Sequence, residues 1–424
     1  MFQTSGDATV KRNEGAPDMA SRPAGKRRSV QLGIDVPLLI VTAILLIFGL
    51  LMVYSASWDY SFQLYGSATR IFTRQLMFMG LGIVGAVVLT FMDYHFWKRL
   101  AVPAMAVTVF MLLGVLFVNE VRNGAVRTLW GGSIQPSELA KLVTVIYLSV
   151  WLFSKREHLG NINLGLIPLA AILGVLGGLI FIQPDLSAVI TIFFLGGSLF
   201  FLAGGDLRQI GFLILVALLF GWLIVALNST GSDRVASYLA GFQDPTKALY
   251  HVQRSFEAFV NGGWFGAGIG NAQTKLTGLP VPPTDSIFAV IGEETGVLGA
   301  AVLIGLYAVI MWRGLSIARR APDALGSLMA AGMCIWLAAE AFINMAVMLN
   351  ILPFAGNALP FISAGGSNLV VSLAAIGILL NISRLSGRKQ EEDWSLYRAF
   401  ADLRRRDRRR RVSRSRRPAD TSKA

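Results

Sequence analysis

VPLLIVTAILLIFGLLMVY, residues 36–54, carries no charged side chain over 19 positions. At 1.5 Å per residue a helix of that length reaches roughly 28 Å, close to the ~30 Å hydrocarbon core of a bilayer. Two more uncharged runs of the same kind follow at Leu164–Gln183 and Ile210–Asn228. The whole chain agrees with them: 54% of its 424 residues are hydrophobic and only 15% are charged. A soluble chain carries about 25% charged residues to cover its surface. The sequence therefore reads as an all-α integral membrane protein.

Working outward from those runs, hydropathy predicts ten transmembrane helices, at 35–56, 75–92, 100–118, 138–154, 165–183, 186–204, 210–228, 286–312, 323–349 and 363–382. Gln183-Pro-Asp185 is the whole connection between the fifth and sixth, which predicts a hairpin. Lys and Arg concentrate in segments that alternate with the spans: Lys11 to Arg28, Lys98-Arg99, Lys155-Arg156, Arg208, Arg313 to Arg320 and the Arg-rich end. By the positive-inside rule both termini are cytoplasmic. Three regions follow: a basic N-terminal tail at 1–34, a membrane domain at 35–384 and a cytoplasmic tail at 385–424. One large extracytoplasmic loop, 229–285, joins helices seven and eight, and its length marks it as functional. Its Gly, Pro and aromatic content (Trp264, Phe265) predicts that it folds back on the membrane surface. In the tail, Trp394, Tyr397, Phe400 and Leu403 precede Arg404–Arg406, an interfacial helix leading to a strip that anionic membrane lipids attract. Nucleic acid is not an expected partner.

Several chemistries are excluded early. The single cysteine, Cys334, rules out a disulfide framework, and the three histidines lie too far apart to form a local zinc pair. Gly266-Ala-Gly268-Ile-Gly270 lacks the βαβ setting of a nucleotide loop, so its glycines are read as serving tight turns or close backbone approach. No metal-ligand cluster is visible. What remains is a set of polar residues that the topology gathers at the external face: Arg127, Gln135, Asp185, Arg234, Gln253, Lys275, Asp285 and Ser367. Neutral amides and hydroxyls suit sugar hydroxyls, while Arg and Lys suit phosphate. Together they point to a polyhydroxylated, anionic headgroup whose lipid tail stays in the bilayer.

Four segments in order, Gln135-Pro-Ser-Glu-Leu-Ala-Lys141, Gln183-Pro-Asp-Leu186, Asp285-Ser-Ile-Phe-Ala-Val-Ile-Gly-Glu-Glu294 and Pro360-Phe-Ile-Ser-Ala-Gly-Gly-Ser-Asn368, resemble the signatures of the SEDS family, to which FtsW, RodA and SpoVE belong. The resemblance covers about residues 35–384. It implies a peptidoglycan glycosyltransferase, most like FtsW, that polymerises lipid II outside the bacterial cytoplasmic membrane beside a class B penicillin-binding protein and other divisome or elongasome proteins. The family's essential aspartate matches Asp285. Ala364 and Asn368 depart from the family pattern, where tyrosine and serine are usual, and Ser187 stands where glycine often follows.

The chemistry asks for a carboxylate near an acceptor hydroxyl and cationic groups, or a metal, on a leaving pyrophosphate. Asp285 is the candidate base. Arg127, Arg234 and Lys275 are candidates for the pyrophosphate, and a divalent cation (Mg or Mn) bridging Asp285 and the phosphates is a further expectation. Each assignment has a plainer rival. Asp285 precedes a helix and suits an N-cap. Glu293, eight residues on, either lines the external cavity or bonds a neighbouring helix. Glu138 and Lys141, three apart, suit an ion pair, and Glu340 and Asn344 suit interhelical bonding. For the whole protein the rivals are a flippase for a polyprenyl-linked sugar and a non-catalytic scaffold.

Overall fold

The computed structural model describes residues 33–118, 135–227 and 229–387. Both tails and the segment holding Asn123, Arg127 and Trp130 lie outside the described residues. Twelve α-helices and no strands occur among those that are described. They are α1 (Val36–Tyr65), α2 (Arg70–Phe91), α3 (Trp97–Val118), α4 (Pro136–Lys155), α5 (Ile167–Ile182), α6 (Leu186–Leu202) and α7 (Leu207–Leu227). Then come α8 (Ser229–Gln243), α9 (Tyr250–Gly262), α10 (Ile287–Arg319), α11 (Ala324–Met348) and α12 (Gly366–Gly387). Eight are long and apolar enough to cross a membrane, and α6 and the Leu207–Leu219 part of α7 are apolar but shorter. All ten fall on segments the hydropathy picked out. The loop from 229 to 285 contains two helices of its own, α8 and α9.

The bundle is apolar on its outside as well as inside. Ile40, Ile44 and Ile47 on α1, Val84 and Val87 on α2, and Leu215 and Leu218 on α7 are all exposed. Such a band would aggregate in water and is the expected surface in lipid. Because lipid is as apolar as leucine, burial of carbon gives little drive for one helix to find another. Close backbone approach and hydrogen bonds must do it. At the α2–α12 crossing, a Cβ on Gly377 would sit 2.6 Å from the Ala86 carbonyl oxygen, so only glycine allows that contact. Lone hydroxyls are satisfied locally: Thr42, Thr90, Thr108, Thr144 and Thr191 each donate to the carbonyl four residues back.

α4, α11 and α12 are the most enclosed of the long helices, and α2 the least. At one end of the bundle, Asp35 caps α1 and pairs with Arg313, while Asp323 caps α11 and accepts from the Tyr94 hydroxyl at 2.9 Å. The opposite end carries the site. There Asp185 accepts from the Ala188 N–H, capping α6 just after the α5–α6 turn. The hairpin at residues 183–186 is as the sequence implies.

α10 is broken. Gly296 sits at φ 69°, ψ −173°, and the segment Gly262–Gly268 packs into the break. Ala267 and Gly268 donate to the carbonyls of Glu293 and Glu294, and Val297 and Leu298 donate to those of Gly263 and Trp264. Backbone groups freed by the break thus find partners in the incoming loop, as a low-dielectric setting demands. A Cβ on Gly266 would meet the Glu294 carbonyl oxygen at 2.2 Å. Gly266, Gly268 and Gly270 all take positive φ, the turn role expected of them, and the close approach at Gly266 is to α10 rather than to a substrate.

Candidate functional site

Asp285 lies in a turn, not in a helix. α10 starts at Ile287 with Ser286 in the cap position, so the capping role open to Asp285 on sequence is not the one it has. The structure fixes this turn by its carbonyls. Pro283 O accepts from Ala364 N at 2.8 Å, Thr284 O from Ser363 Oγ at 2.7 Å and Asp285 O from Asn344 Nδ2 at 3.1 Å. The Ser286 hydroxyl donates back to Pro280 O at 2.7 Å. Donors from α11 and from the segment before α12 thereby hold three consecutive residues. The Asp285 side chain stays half-buried and rests on Gly356: a Cβ there would lie 2.8 Å from Asp285 Oδ2.

Beside it is a second layer. Asp185 is buried and accepts from Gln135 Nε2 at 3.1 Å, Ser137 Oγ at 2.9 Å and Ser187 Oγ at 2.9 Å. Ser187 Oγ is also 3.0 Å from the carbonyl oxygen of Gly356, which links this layer to Asp285. The Gln135 N–H donates to Ser367 Oγ at 3.1 Å. Gln135, Asp185, Ser367 and Asp285, read separately from the sequence, are thus brought together. Ser187 is where the family often has glycine, and here its hydroxyl is the bridging atom.

A third layer is fully enclosed. Lys141 Nζ donates to Glu138 Oε1 at 2.8 Å and to Glu340. Asn368 Nδ2 donates to Glu138 Oε2 at 2.8 Å. The ion pair expected at three-residue spacing exists, and Glu340 of α11 joins it in the interhelical bonding expected of that residue, with a partner the spacing did not name. Asn368, a departure from the family pattern, has the definite task of holding Glu138. Two carboxylates against one ammonium leave this buried group with a formal charge of −1 when all three are ionised.

Lys275 and Glu293 sit elsewhere. Lys275 Nζ is buried and bonds Glu294 Oε1 at 2.7 Å, Ser55 Oγ at 2.9 Å and the Gly270 carbonyl at 2.9 Å. Glu293 accepts from the Gln273 N–H at 2.9 Å, and from the N–H and hydroxyl of Thr274. Both side chains tie residues 270–275 of the loop to α10 and α1. No helix runs through residue 285, so Asp285 and Glu293 do not share a helical face. Gln253 is a local staple as well, donating to the carbonyls of Thr246 and Ala248 at 2.7 and 2.6 Å.

Arg234 has its guanidinium 5.8 Å from the centre of the Phe354 ring, and the His251 ring lies 4.5 Å from that same ring. Burial, and then the Arg234 charge, hold His251 below the ordinary imidazole range, so it is neutral at neutral pH. Phe354 is two residues from Gly356, so Arg234 of α8 and His251 of α9 pack against the loop that abuts Asp285. No group of three or more His, Cys, Asp or Glu able to hold a metal ion occurs among the described residues. Sequence reasoning missed Gln75, whose buried amide donates to Ser363 O at 3.1 Å, and Asn357, whose side chain donates to Glu340 O at 3.1 Å. An isolated amide in an apolar stretch was the signal for both.

The fold and site define a class: a polytopic helical membrane protein with one half-buried carboxylate held above a paired, charged interior. Comparison with known proteins narrows it. A family model for FtsW, RodA and SpoVE, described as "Cell cycle protein", matches residues 36–388, and the chain belongs to that family. It is 37% identical over 353 residues to a protein of Trichlorobacter lovleyi named probable peptidoglycan glycosyltransferase FtsW, covering 82% of this chain and 93% of that one. It is 36% identical over 360 residues to stage V sporulation protein E of Bacillus subtilis, covering 83% and 97%. Among solved structures, a chain from "Structural coordination of polymerization and crosslinking by a peptidoglycan synthase complex" superposes with a TM-score of 0.69 at 26% identity, covering 83% of this chain and 98% of that one. Thermus thermophilus rod shape determining protein RodA superposes with a TM-score of 0.61 and, at 24% identity, shares the fold.

Proposed function

We propose that this protein is an inverting peptidoglycan glycosyltransferase that polymerises lipid II at the outer face of the bacterial cytoplasmic membrane, with Asp285 as its base. The observation that carries the reading is the conjunction of two facts: most of the chain is homologous to proteins named for this activity, and Asp285, which matches the family's essential aspartate, sits half-buried in a turn held through its backbone. In the reaction an acceptor sugar hydroxyl attacks the anomeric carbon of a second lipid-linked sugar. The new C–O bond forms as the bond to the pyrophosphate oxygen breaks, and the hydroxyl proton passes to the Asp285 carboxylate. Polyprenyl pyrophosphate leaves with the electron pair. A single direct displacement inverts the anomeric centre, from an α-linked donor to a β-linked product.

Arg234, beside the Phe354 ring, is the described cation proposed for the pyrophosphate, and Lys275 is bonded to Glu294. Arg127 remains a candidate on sequence. If a divalent cation takes part, Asp285 offers it one carboxylate, and substrate phosphates and water would complete its shell. The reading includes ten spans with both termini cytoplasmic and the Asp285 end outside. It also includes a class B penicillin-binding protein as partner, supported by the likeness to a chain of a peptidoglycan synthase complex. Purified protein supplied with labelled lipid II should form glycan strands, with the partner present if the protein alone is silent. No strands under either condition would move the flippase or scaffold reading ahead.

A further inference from the structure

The backbone of the turn that carries Asp285 is held by a buried side chain near the end of α11. Asn344 lies on α11, is 1% exposed, and has both amide protons engaged. One goes to the carbonyl of Asp285 itself at 3.1 Å, the other to the carbonyl of Asn357 at 2.5 Å. A primary amide has two N–H donors and no more, so the two bonds use its donor capacity in full. Asn357 answers with its own amide to Glu340 O, one turn earlier on α11. Asn344 therefore joins two segments distant in sequence: the turn 283–286, and the loop 356–357 on which the Asp285 carboxylate rests.

We infer that Asn344 is a positioning residue for glycosyl transfer: its carboxamide sets the spacing between the Asp285 turn and Gly356, and so fixes the direction of the Asp285 carboxylate. The inference rests on the reading of Asp285 as the base. Helix α10 cannot do this alone, because it begins at Ile287 and Asp285 lies outside it. The carbonyl just before, that of Thr284, is held by Ser363, which makes Ser363 an independent second point of the same clamp. Neither side chain needs to touch substrate. A base misplaced by about 1 Å can cost about a hundredfold in rate, while binding contacts made elsewhere are unaffected.

That separation supplies the test. Asn344→Leu keeps the volume and removes both donors, and Ser363→Ala removes a single oxygen. Initial rates of glycosidic bond formation are measured against lipid II concentration for purified full-length wild type, Asn344→Leu, Ser363→Ala and Asp285→Ala, alongside thermal unfolding of each. For Asn344→Leu and Ser363→Ala we expect kcat to fall about tenfold to a hundredfold, with KM for lipid II and the melting temperature near those of wild type. Wild-type kcat in both, with Asp285→Ala inactive, overturns the positioning inference and leaves the base in place. Parallel loss of kcat, KM and melting temperature marks a structural role and overturns it as well. Should Asn344→Leu fail to fold, Ser363→Ala alone decides by the same criteria. If Asp285→Ala polymerises as wild type does, the assignment of the base fails, whatever the two clamp variants do.

Discussion

Asp285 differs from Asp185, Glu138, Glu293, Glu294 and Glu340 in what surrounds it. Those five carboxylates are each 5% exposed or less, whereas Asp285 is half-buried and rests on Gly356. A group that must take a proton from an incoming hydroxyl has to stay reachable, and of these six only Asp285 does. Gly356→Ala tests how tightly the carboxylate is seated. Its new Cβ would lie 2.8 Å from Oδ2, inside contact distance, so kcat should fall at least about tenfold while the protein stays folded, as steady-state rates and thermal unfolding would report. The buried network makes a different prediction. Replacing Lys141 by Met leaves Glu138 and Glu340 facing each other without a cation, which should destabilise the fold by about 3–5 kcal/mol. A melting temperature within a few degrees of wild type would show that the network matters less than its burial suggests. The acidic residues themselves were legible in the sequence, because charge in an apolar run is conspicuous. Their partners were not. Lys141 meets Glu340 across 199 positions, and Lys275 meets Glu294 across 19 positions and the turn that precedes α10, so no local spacing records either contact.

At the scale of elements, the break in α10 at Gly296 is what brings the loop into the bundle. From Ile287 to Glu294 the helix is enclosed, and from Val297 onward it shows exposed apolar side chains such as Leu298 and Val302. Trp264 and Phe265, 68% and 83% exposed, stand at that boundary, tied to it by the hydrogen bond from Leu298 N to Trp264 O. Aromatic side chains commonly sit at the membrane interface, so we expect them to join the lipid-facing band. In liposomes, fluorescence lost on changing Trp264 to Phe should be quenched by lipids labelled near the top of the acyl chain and spared by aqueous iodide. Quenching by iodide alone would place the tip in water. The sequence showed the Gly-rich segment and allowed close approach as one use for it. It did not show what the loop approaches, because a break in a helix set by one φ/ψ pair at Gly296 leaves the hydropathy unchanged. The apolar helices were readable for the opposite reason, since an uncharged run of membrane length has few other folded outcomes; α8 and α9, inside the loop, were not read.

For the whole molecule, ten apolar segments fall where hydropathy placed them, eight as full-length spans and two shorter. Orientation rests on the distribution of Lys and Arg, and cysteine labelling tests it. In a Cys334→Ala background, Lys247→Cys should react with a membrane-impermeant maleimide added to spheroplasts, and Glu157→Cys only after permeabilisation. The reverse pattern would invert the topology and put Asp285 on the wrong side for an external substrate. The family, too, was legible, because its four motifs lie in order at the ends of spans where the structure gathers them around Asp285. Their convergence could not be read from spacing, since it depends on loops such as 349–365 that follow no periodicity. The most direct measurement is polymerisation of labelled lipid II by purified wild type, Asp285→Asn and Asp285→Ala, each with and without the transpeptidase partner and each shown to be folded. The account predicts glycan strands from wild type and a loss of about a hundredfold to ten-thousandfold in both variants; strands made at wild-type rate by either variant would contradict it.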